Sequence, residues 1–256
     1  MKAAPFDYER PRGLGEAVRL LAENPGAKLL AGGQTLGPML NLRLVQPTLL
    51  IDITRIAELA RTEDGPEAVT LGACVTHAAI EDGRIADPAN GFLAEVARGI
   101  AYRAVRNRGT IGGSLAHADP AADWLCALIA IGADALLTGP RGKRRLALQD
   151  FVRGAMETEL GEDEVLDGIR IPKFSGSARA GFAKICRKTG EFAEAIGVAF
   201  RDAERGVLRL VAGATQGKPI VIEAEQPAPG APRTDRRELR EQLGHAGLAG
   251  DGYELN

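Results

Sequence analysis

The first part of the chain combines one amphipathic helical pattern with short aliphatic runs. Apolar residues recur every three or four positions over Leu14–Ala22, and the Asn-Pro-Gly sequence that follows favours a stop. Runs of aliphatic and β-branched residues at Lys28–Ala31 and Thr48–Ile56 predict two strands. Residues 1–57 are therefore expected to form a small α/β subdomain.

Residues 58–174 carry more strand pattern than helix pattern. Apolar runs predict strands at Ala68–Val75 and Glu164–Pro172, and a hairpin over Asp134–Leu148 turns at a Gly-Pro-Arg-Gly sequence. Helices are predicted for a short segment capped by Thr76, for Gly91–Ala101, and for an apolar stretch that starts at Pro120. A second, mainly antiparallel subdomain is expected here.

A polar, turn-rich boundary at Pro172–Gly181 separates this region from the C-terminal part. Three strand patterns follow, at residues 181–188, 195–202 and 206–215, and predict an antiparallel sheet. A Pro-rich linker is predicted at 223–235 and a short charged helix at 236–244. Residues 178–256 are thus expected to form a C-terminal domain, shortened at its end.

Composition and charge exclude several classes of protein. The 256-residue chain has a net charge of −2, which gives no field for nucleic acid or an anionic membrane. No apolar run approaches the roughly 20 residues of a membrane span, and the N-terminus lacks a signal-peptide core. Cys74, Cys126 and Cys186 are too far apart for a cluster or disulfide framework. A cytoplasmic location is expected.

Two segments contain adjacent glycines. The first glycine segment is residues 31–36 (AGGQTL), and the second glycine segment is residues 110–114 (TIGGS). Glycine pairs let an anion approach consecutive backbone N–H groups. Neither segment has the GxxxxGK[ST] or GxGxxG spacing of common nucleotide-binding loops, so either one alone predicts only a tight turn.

Other candidate chemistry is weak. His117, Asp119 and Asp123 have no established metal-ligand spacing, and helix-capping roles suit them better. There is no GxSxG nucleophile elbow. His77 is predicted to be a surface or packing residue, and Cys74, like Cys126, is predicted to be a small core residue.

Four stretches taken together resemble one family. They are LLAGGQTLGPMLNLRL (29–44), IDITRI (51–56), RNRGTIGGSLAHADPAADW (106–124) and GFAKICRKTGEFAEAIGVAF (181–200). In this order and spacing they resemble the FAD-binding medium subunit of molybdenum hydroxylases, which includes the carbon monoxide dehydrogenase medium chain and the flavin domain of xanthine dehydrogenase. The resemblance implies an α+β chain with a PCMH-type FAD-binding fold of two subdomains, followed by a C-terminal antiparallel-sheet-and-helix domain.

The resemblance also implies a site for non-covalent FAD. Both glycine segments would hold the pyrophosphate, Asp123 would lie on the adenosine side, Lys184 near the flavin, and Phe192 beside the isoalloxazine. The implied cofactor-binding residues are Leu30, Ala31, Gly32, Gly33, Gln34, Thr35, Leu36, Ile53, Ala101, Thr110, Ile111, Gly112, Gly113, Ser114, Ala118, Asp119, Asp123, Ile169, Lys184 and Phe192. No side chain in this chain is expected to be catalytic, because the flavin does the redox work.

The resemblance further implies partners. Molybdopterin would reside on a large subunit and [2Fe–2S] clusters on a small one, in a dimer of heterotrimers. Electrons would pass from the clusters to FAD here, and then to NAD, oxygen or a quinone-linked carrier. The alternatives are a stand-alone flavin oxidase, of a kind that often attaches FAD covalently through His or Cys, and an interaction subunit without flavin.

Overall fold

The computed structural model describes residues 2–223 and residue 241. Three sheets follow one another along the described chain. The first contains β1 (Asp7–Glu9), β2 (Lys28–Leu30) and β3 (Leu49–Asp52), all parallel, with β3 in the centre. Helix α1 (Leu14–Glu23) buries its apolar face on this sheet, and α2 (Leu36–Asn41) follows β2. The predicted helix and the two predicted strands that follow it are confirmed.

The second sheet is antiparallel, and its strand order is β4-β5-β10-β6-β7. Its strands are β4 (Thr62–Asp64), β5 (Ala68–Gly72), β6 (Asp134–Gly139), β7 (Gly142–Ala147) and β10 (Val165–Pro172). A separate hairpin pairs β8 (Val152–Gly154) with β9 (Glu157–Thr158). The two predicted strands and the predicted hairpin are confirmed.

Seven short helices accompany this second sheet. They are α3 (Ala57–Ala60), α4 (His77–Glu81), α5 (Phe92–Arg98), α6 (Arg103–Arg106), α7 (Ile111–His117), α8 (Asp123–Ala130) and α9 (Leu148–Phe151). Thr76 caps α4 by accepting a hydrogen bond from the Ala79 amide (3.2 Å), as predicted. Helices α4, α5, α7, α8 and α9, together with β5, β6 and β10, contribute to the larger of the two apolar cores.

Several predicted elements differ in their bounds, among them the helix predicted at Gly91–Ala101, which is Phe92–Arg98, and the strand predicted at Ala68–Val75, which ends at Gly72. The strand predicted at Thr48–Ile56 ends at Asp52, because the following residues turn into α3. The helix predicted from Pro120 starts at Asp123, because the Asp119 carboxylate accepts a hydrogen bond from the Ala121 amide and forms a turn first. The second glycine segment is the start of α7 rather than a free turn.

The third sheet is antiparallel in the order β11-β12-β13-β14. These strands are β11 (Arg179–Ile185), β12 (Ala195–Asp202), β13 (Val207–Gly213) and β14 (Ile220–Glu223). The first three confirm the predicted C-terminal sheet. The linker predicted at 223–235 and the helix predicted at 236–244 lie outside the described residues, apart from Glu223 and Glu241.

Helix α8 joins the third sheet to the rest of the molecule. All eight of its residues are buried, and it contacts β12 and β13. Two cations from the third sheet reach its ends. The Lys184 ammonium bonds the Asp123 carboxylate in the first turn, and the Arg209 guanidinium donates to the Ile129 and Ala130 carbonyls in the last (3.2 and 3.3 Å).

Across residues 2–223 and at 241, no helix combines the length and the apolar character that crossing a bilayer requires.

Candidate functional site: an open run of backbone amides

The first glycine segment directly follows strand β2, at the end of the parallel sheet. The Leu30 carbonyl accepts a hydrogen bond from the Ile53 amide (3.0 Å), which fixes the last residue of the strand. Gly33 then takes a positive φ of 71°, a conformation that residues with a Cβ rarely adopt, and α2 begins at Leu36. The chain thus turns sharply from the strand into the helix.

Four consecutive amides in this turn are open. Within the described chain, the N–H groups of Gly32, Gly33, Gln34 and Thr35 donate to no protein acceptor. None of these residues is fully buried, so a ligand has access to them. Successive N–H groups in a turn form a concave anion-binding surface, and a diphosphate supplies the acceptors that they lack. The residues present therefore fit the pyrophosphate of a dinucleotide.

The second glycine segment uses two of its amides to start α7. Thr110 is the N-cap, and its hydroxyl accepts a hydrogen bond from the Gly113 amide (3.1 Å). Its carbonyl accepts from the Ser114 amide (3.1 Å). The Ser114 hydroxyl has no hydrogen-bond partner among residues 2–223 and 241, and this side chain is half-buried.

The remaining two amides attach α7 to the chain after β5. The Ile111 amide donates to the Val75 carbonyl (3.0 Å), and the Gly112 amide donates to the Ala73 carbonyl (2.9 Å). A Cβ at Gly112 would lie 2.7 Å from the Cα of Ala73, so glycine is required here for close packing. In this structure, the amides of residues 111–114 therefore all have protein acceptors, and the contact of this segment with a pyrophosphate stays a prediction.

The two glycine segments lie side by side, as the prediction of one shared site requires. A Cβ at Gly32 would overlap the Arg108 carbonyl oxygen and lie 2.8 Å from the Cα of Gly109. A Cβ at Gly113 would be 4.0 Å from that of Ala31. The first segment therefore packs closely against residues 108–109, which come directly before the second segment.

Asp123 and Lys184 form a single unit. The Lys184 ammonium lies 3.0 and 3.2 Å from the two carboxylate oxygens of Asp123, and both side chains are more than nine-tenths buried. Burial raises the pKa of Asp123, and the charge of Lys184 opposes that rise. The two residues were predicted at opposite ends of an extended FAD. Because they are in direct contact, they can lie near only one end of such a molecule.

A strained turn lies next to this pair. Residues 99–101, here called the junction turn, link α5 to α6, and Ala101 has a positive φ of 44°. The Lys184 ammonium also donates to the Gly99 carbonyl (3.3 Å). Phe192 lies in the loop between β11 and β12 and is 66% exposed, so its ring is available to a ligand or a partner.

Four of the residues implied to bind the cofactor lie in the apolar core. Ile111, Ala118 and Ile169 have no exposed surface, and Ile53 is 4% exposed. Their side chains pack in the core of this structure, and their contact with FAD stays a prediction. Asp119, also predicted to bind the cofactor, caps the turn before α8 through its carboxylate.

The three side chains that were expected to be packing residues do pack. The His77 ring accepts a hydrogen bond from the Trp124 indole N–H (3.1 Å), and burial lowers the pKa of His77 to about 4. Cys74 and Cys126 are buried free thiols, and burial raises the pKa of each to about 12. In the described part of the chain, no three His, Cys, Asp or Glu side chains are grouped as a metal site.

Sequence reasoning missed one polar cluster near the first sheet. The Asp52 carboxylate at the end of β3 accepts hydrogen bonds from Thr54, Tyr8 and Arg10. Burial works to raise the pKa of Asp52, but these hydrogen bonds outweigh it and lower the pKa to about 2. An Asp directly after an aliphatic run and two residues before a Thr was the available signal.

Known proteins of one family are similar to this chain. Residues 4–174 match the family described as "FAD binding domain in molybdopterin dehydrogenase". The chain is 39% identical to the carbon monoxide dehydrogenase medium chain of Hydrogenophaga pseudoflava over 222 residues, which is 86% of this chain and 77% of that protein. It is 32% identical to the nicotine 6-hydroxylase medium subunit of Paenarthrobacter nicotinovorans, with 85% and 77% covered.

Solved structures give the same result. A structure of carbon monoxide dehydrogenase from Hydrogenophaga pseudoflava, which lacks the Mo-pyranopterin moiety of its cofactor, matches with a TM-score of 0.85 and 34% identity over 99% of this chain and 91% of that one. Quinoline 2-oxidoreductase from Pseudomonas putida 86 matches with a TM-score of 0.83 and 30% identity, over 97% and 88%. The chain therefore belongs to the family of FAD-binding domains of molybdopterin dehydrogenases, as an oxidoreductase subunit.

Proposed function

We propose that this chain is the FAD-carrying electron-transfer subunit of a molybdenum hydroxylase complex. The open amides of residues 32–35 carry the proposal, because four adjacent unpaired N–H groups fit a diphosphate. The family match supports the same cofactor. When bound, the flavin supplies the redox chemistry, and this chain binds and orients it.

The residues divide into three roles in this proposal. The amides of residues 32–35 hold the pyrophosphate, with the Gln34, Thr35 and Ser114 side chains as additional polar contacts. The Asp123–Lys184 pair acts as one polar contact at one end of FAD, beside Ala101. The exposed Phe192 ring provides an apolar surface for the isoalloxazine.

The substrate is oxidised on a partner in this proposal. The relatives are named as medium chains and medium subunits of dehydrogenases and a hydroxylase, which implies further subunits in those proteins. We infer a large molybdopterin subunit and a small [2Fe–2S] subunit, assembled as a dimer of heterotrimers in the cytoplasm. Electrons from the clusters reach FAD and leave to an external acceptor, which is NAD, oxygen or a quinone-linked carrier.

Co-purification with and without the partner chains tests this proposal. The chain expressed alone is expected to bind FAD and to show at most diaphorase-like activity, with no hydroxylation of an organic substrate. Molybdenum, iron and substrate oxidation should appear only when the large and small chains accompany it. Hydroxylation by this chain alone would contradict the proposal.

The mode of attachment separates this proposal from a stand-alone flavin oxidase. His117, at the end of α7, is the histidine nearest in sequence to either glycine segment. Acid precipitation of the FAD-loaded protein should leave all the flavin in the supernatant. Flavin that stays with the denatured chain would favour the covalent type of oxidase.

A further inference from the structure

We infer that Arg106 is a positioning residue that fixes the distance between the open amides and the loop that carries Phe192, by bracing the junction turn. The inference rests on the proposed FAD function, since it assigns these two places to the same cofactor. Arg106 itself contacts neither place directly.

The Arg106 guanidinium donates hydrogen bonds to two backbone carbonyls and to one carboxylate. One Nη donates to the carbonyls of Ile100 (2.9 Å) and Ala101 (2.8 Å). The Nε and the other Nη bond the Glu81 carboxylate at 2.8 and 3.0 Å. The side chains of Arg106 and Glu81 are only 11% and 14% exposed, and these hydrogen bonds hold the pKa of Glu81 below its usual range.

The junction turn needs such bracing. Ala101 has a left-handed backbone, which is unfavourable for a residue with a Cβ. The carbonyls of residues 99–101 all accept hydrogen bonds from cationic side chains. Lys184 donates to the first of them, and Arg106 donates to the other two. Two cations from different parts of the chain thus fix three successive carbonyls.

The loop of the third sheet rests on this turn. Residues 186–194 connect β11 to β12, and Gly190 in this loop forms a bridge with Ile100. A Cβ at Gly190 would lie 2.7 Å from the Ala101 carbonyl oxygen, so the contact is close. Phe192 follows two residues later. The position of the junction turn therefore sets the position of the aromatic ring.

The other end of the same short segment supports the open amides. Arg106 is the last residue of α6, and Arg108, two residues later, carries the carbonyl against which Gly32 packs. Residues 103–108 therefore connect the support of the amides to the support of the loop. Arg106 bonds this segment to the junction turn and to α4. It therefore fixes the distance between the open amides and the loop that carries Phe192.

The test compares three variants of the full-length chain. Arg106→Ala removes the brace, and Arg106→Lys keeps the charge but loses the two-edged geometry. Arg144→Ala is the matched control, because Arg144 bonds the Glu164 carboxylate (2.7 and 2.6 Å) and the Glu159 carbonyl (2.6 Å), on the β7 side of the second sheet. Thermal unfolding establishes the temperature at which each variant is folded.

Hydrogen exchange of the FAD-free protein is the first readout. Arg106→Ala should accelerate exchange in residues 99–101 and 186–194 by at least about tenfold, and Arg106→Lys by less. The FAD dissociation constant should rise by about tenfold in Arg106→Ala, because the two contact regions are no longer held at the right distance. Arg144→Ala should change neither quantity.

Two outcomes overturn the inference. In one, residues 99–101 and 186–194 of Arg106→Ala exchange at wild-type rates. In the other, the same residues of Arg144→Ala exchange as fast as in Arg106→Ala, which would indicate a general loss of stability. A wild-type chain that binds no FAD would contradict the proposed function instead, and the exchange data would still decide the role of Arg106. If Arg106→Ala does not fold, Arg106→Lys decides the question with the same measurements.

Discussion

The two glycine segments look alike in sequence and do opposite things in the fold. In the first, Gly32 and Gly33 allow a sharp turn in which four backbone N–H groups have no protein acceptor. In the second, Gly112 allows close packing and every amide from 111 to 114 is used within the protein. Within the described residues, the first segment thus leaves four amides without a protein acceptor, whereas the second uses its amides to start α7 and to attach it to the chain after β5. A glycine pair indicates that another group comes close to the backbone. Only the three-dimensional structure shows whether that group belongs to the protein.

The largest effect is expected for Gly33→Val. A β-branched residue is disfavoured at φ 71°, and its Cβ would lie 3.2 Å from Leu30 Cδ1. The segment should relax and lose amide contacts to the diphosphate, each worth about 1.5–3 kcal/mol for a charged acceptor. Two lost contacts raise the FAD dissociation constant by at least about 100-fold. Flavin fluorescence titration measures it, and a fully yellow variant would disprove the assignment.

Acid should lower the stability of the folded protein through His77, close to the second segment. His77 lies against Gly109, and its pKa falls from 6.5 to about 4 in the folded protein. Between these values the unfolded chain binds more protons, so stability declines as pH falls from about 6.5 to about 4, by on the order of 3 kcal/mol. Urea unfolding at several pH values measures this. His77→Asn, which retains an acceptor for Trp124, should flatten the profile; an unchanged slope would refute the assignment to His77.

Gly112→Ala should affect the fold rather than the ligand. The added methyl group overlaps Ala73, so the free energy of unfolding should fall by about 2 kcal/mol, as in other overpacked cores. FAD affinity should remain within about twofold once the variant is folded, because the Gly112 amide is already used. Urea unfolding and FAD titration of the same sample measure both quantities. A large loss of affinity with unchanged stability would reverse the roles of the two segments.

The smallest effect is expected at the cap of α7. Thr110→Val removes the hydroxyl that accepts from the Gly113 amide, and loss of such a cap costs about 1 kcal/mol. Thr110→Ser keeps the hydroxyl and should be close to wild type. Thermal unfolding of the pair isolates the cap, and equal stability of the two variants would show that this hydrogen bond is unimportant.

Elements with a strong local pattern were predictable. The helix over Leu14–Glu23 and three of the four strands of the C-terminal sheet follow directly from apolar periodicity. Strand β1 was missed because its sequence, Asp-Tyr-Glu, is polar and exposed at the edge of the first sheet. The resemblance to FAD-binding subunits of molybdenum hydroxylases is confirmed by the family match.

Contacts between distant residues were not predictable. The acceptors of the 111 and 112 amides lie 36 and 39 positions earlier in the chain, at Val75 and Ala73, and no local pattern reveals them. Lys184 is 61 residues from Asp123, so their ion pair depends on how the third sheet packs on α8. Site residues chosen by motif therefore included both surface and core positions.

The hydrogen bonds of two cationic side chains to the ends of α8 have a consequence for any truncated form of this protein. The family match ends at residue 174, but Lys184 and Arg209, which hold both ends of α8, lie beyond it. A fragment cut there would expose the apolar side of a fully buried helix and leave the Asp123 carboxylate without its cation. The residues covered by the family match therefore rely on the C-terminal strands to cover α8 and to pair Asp123.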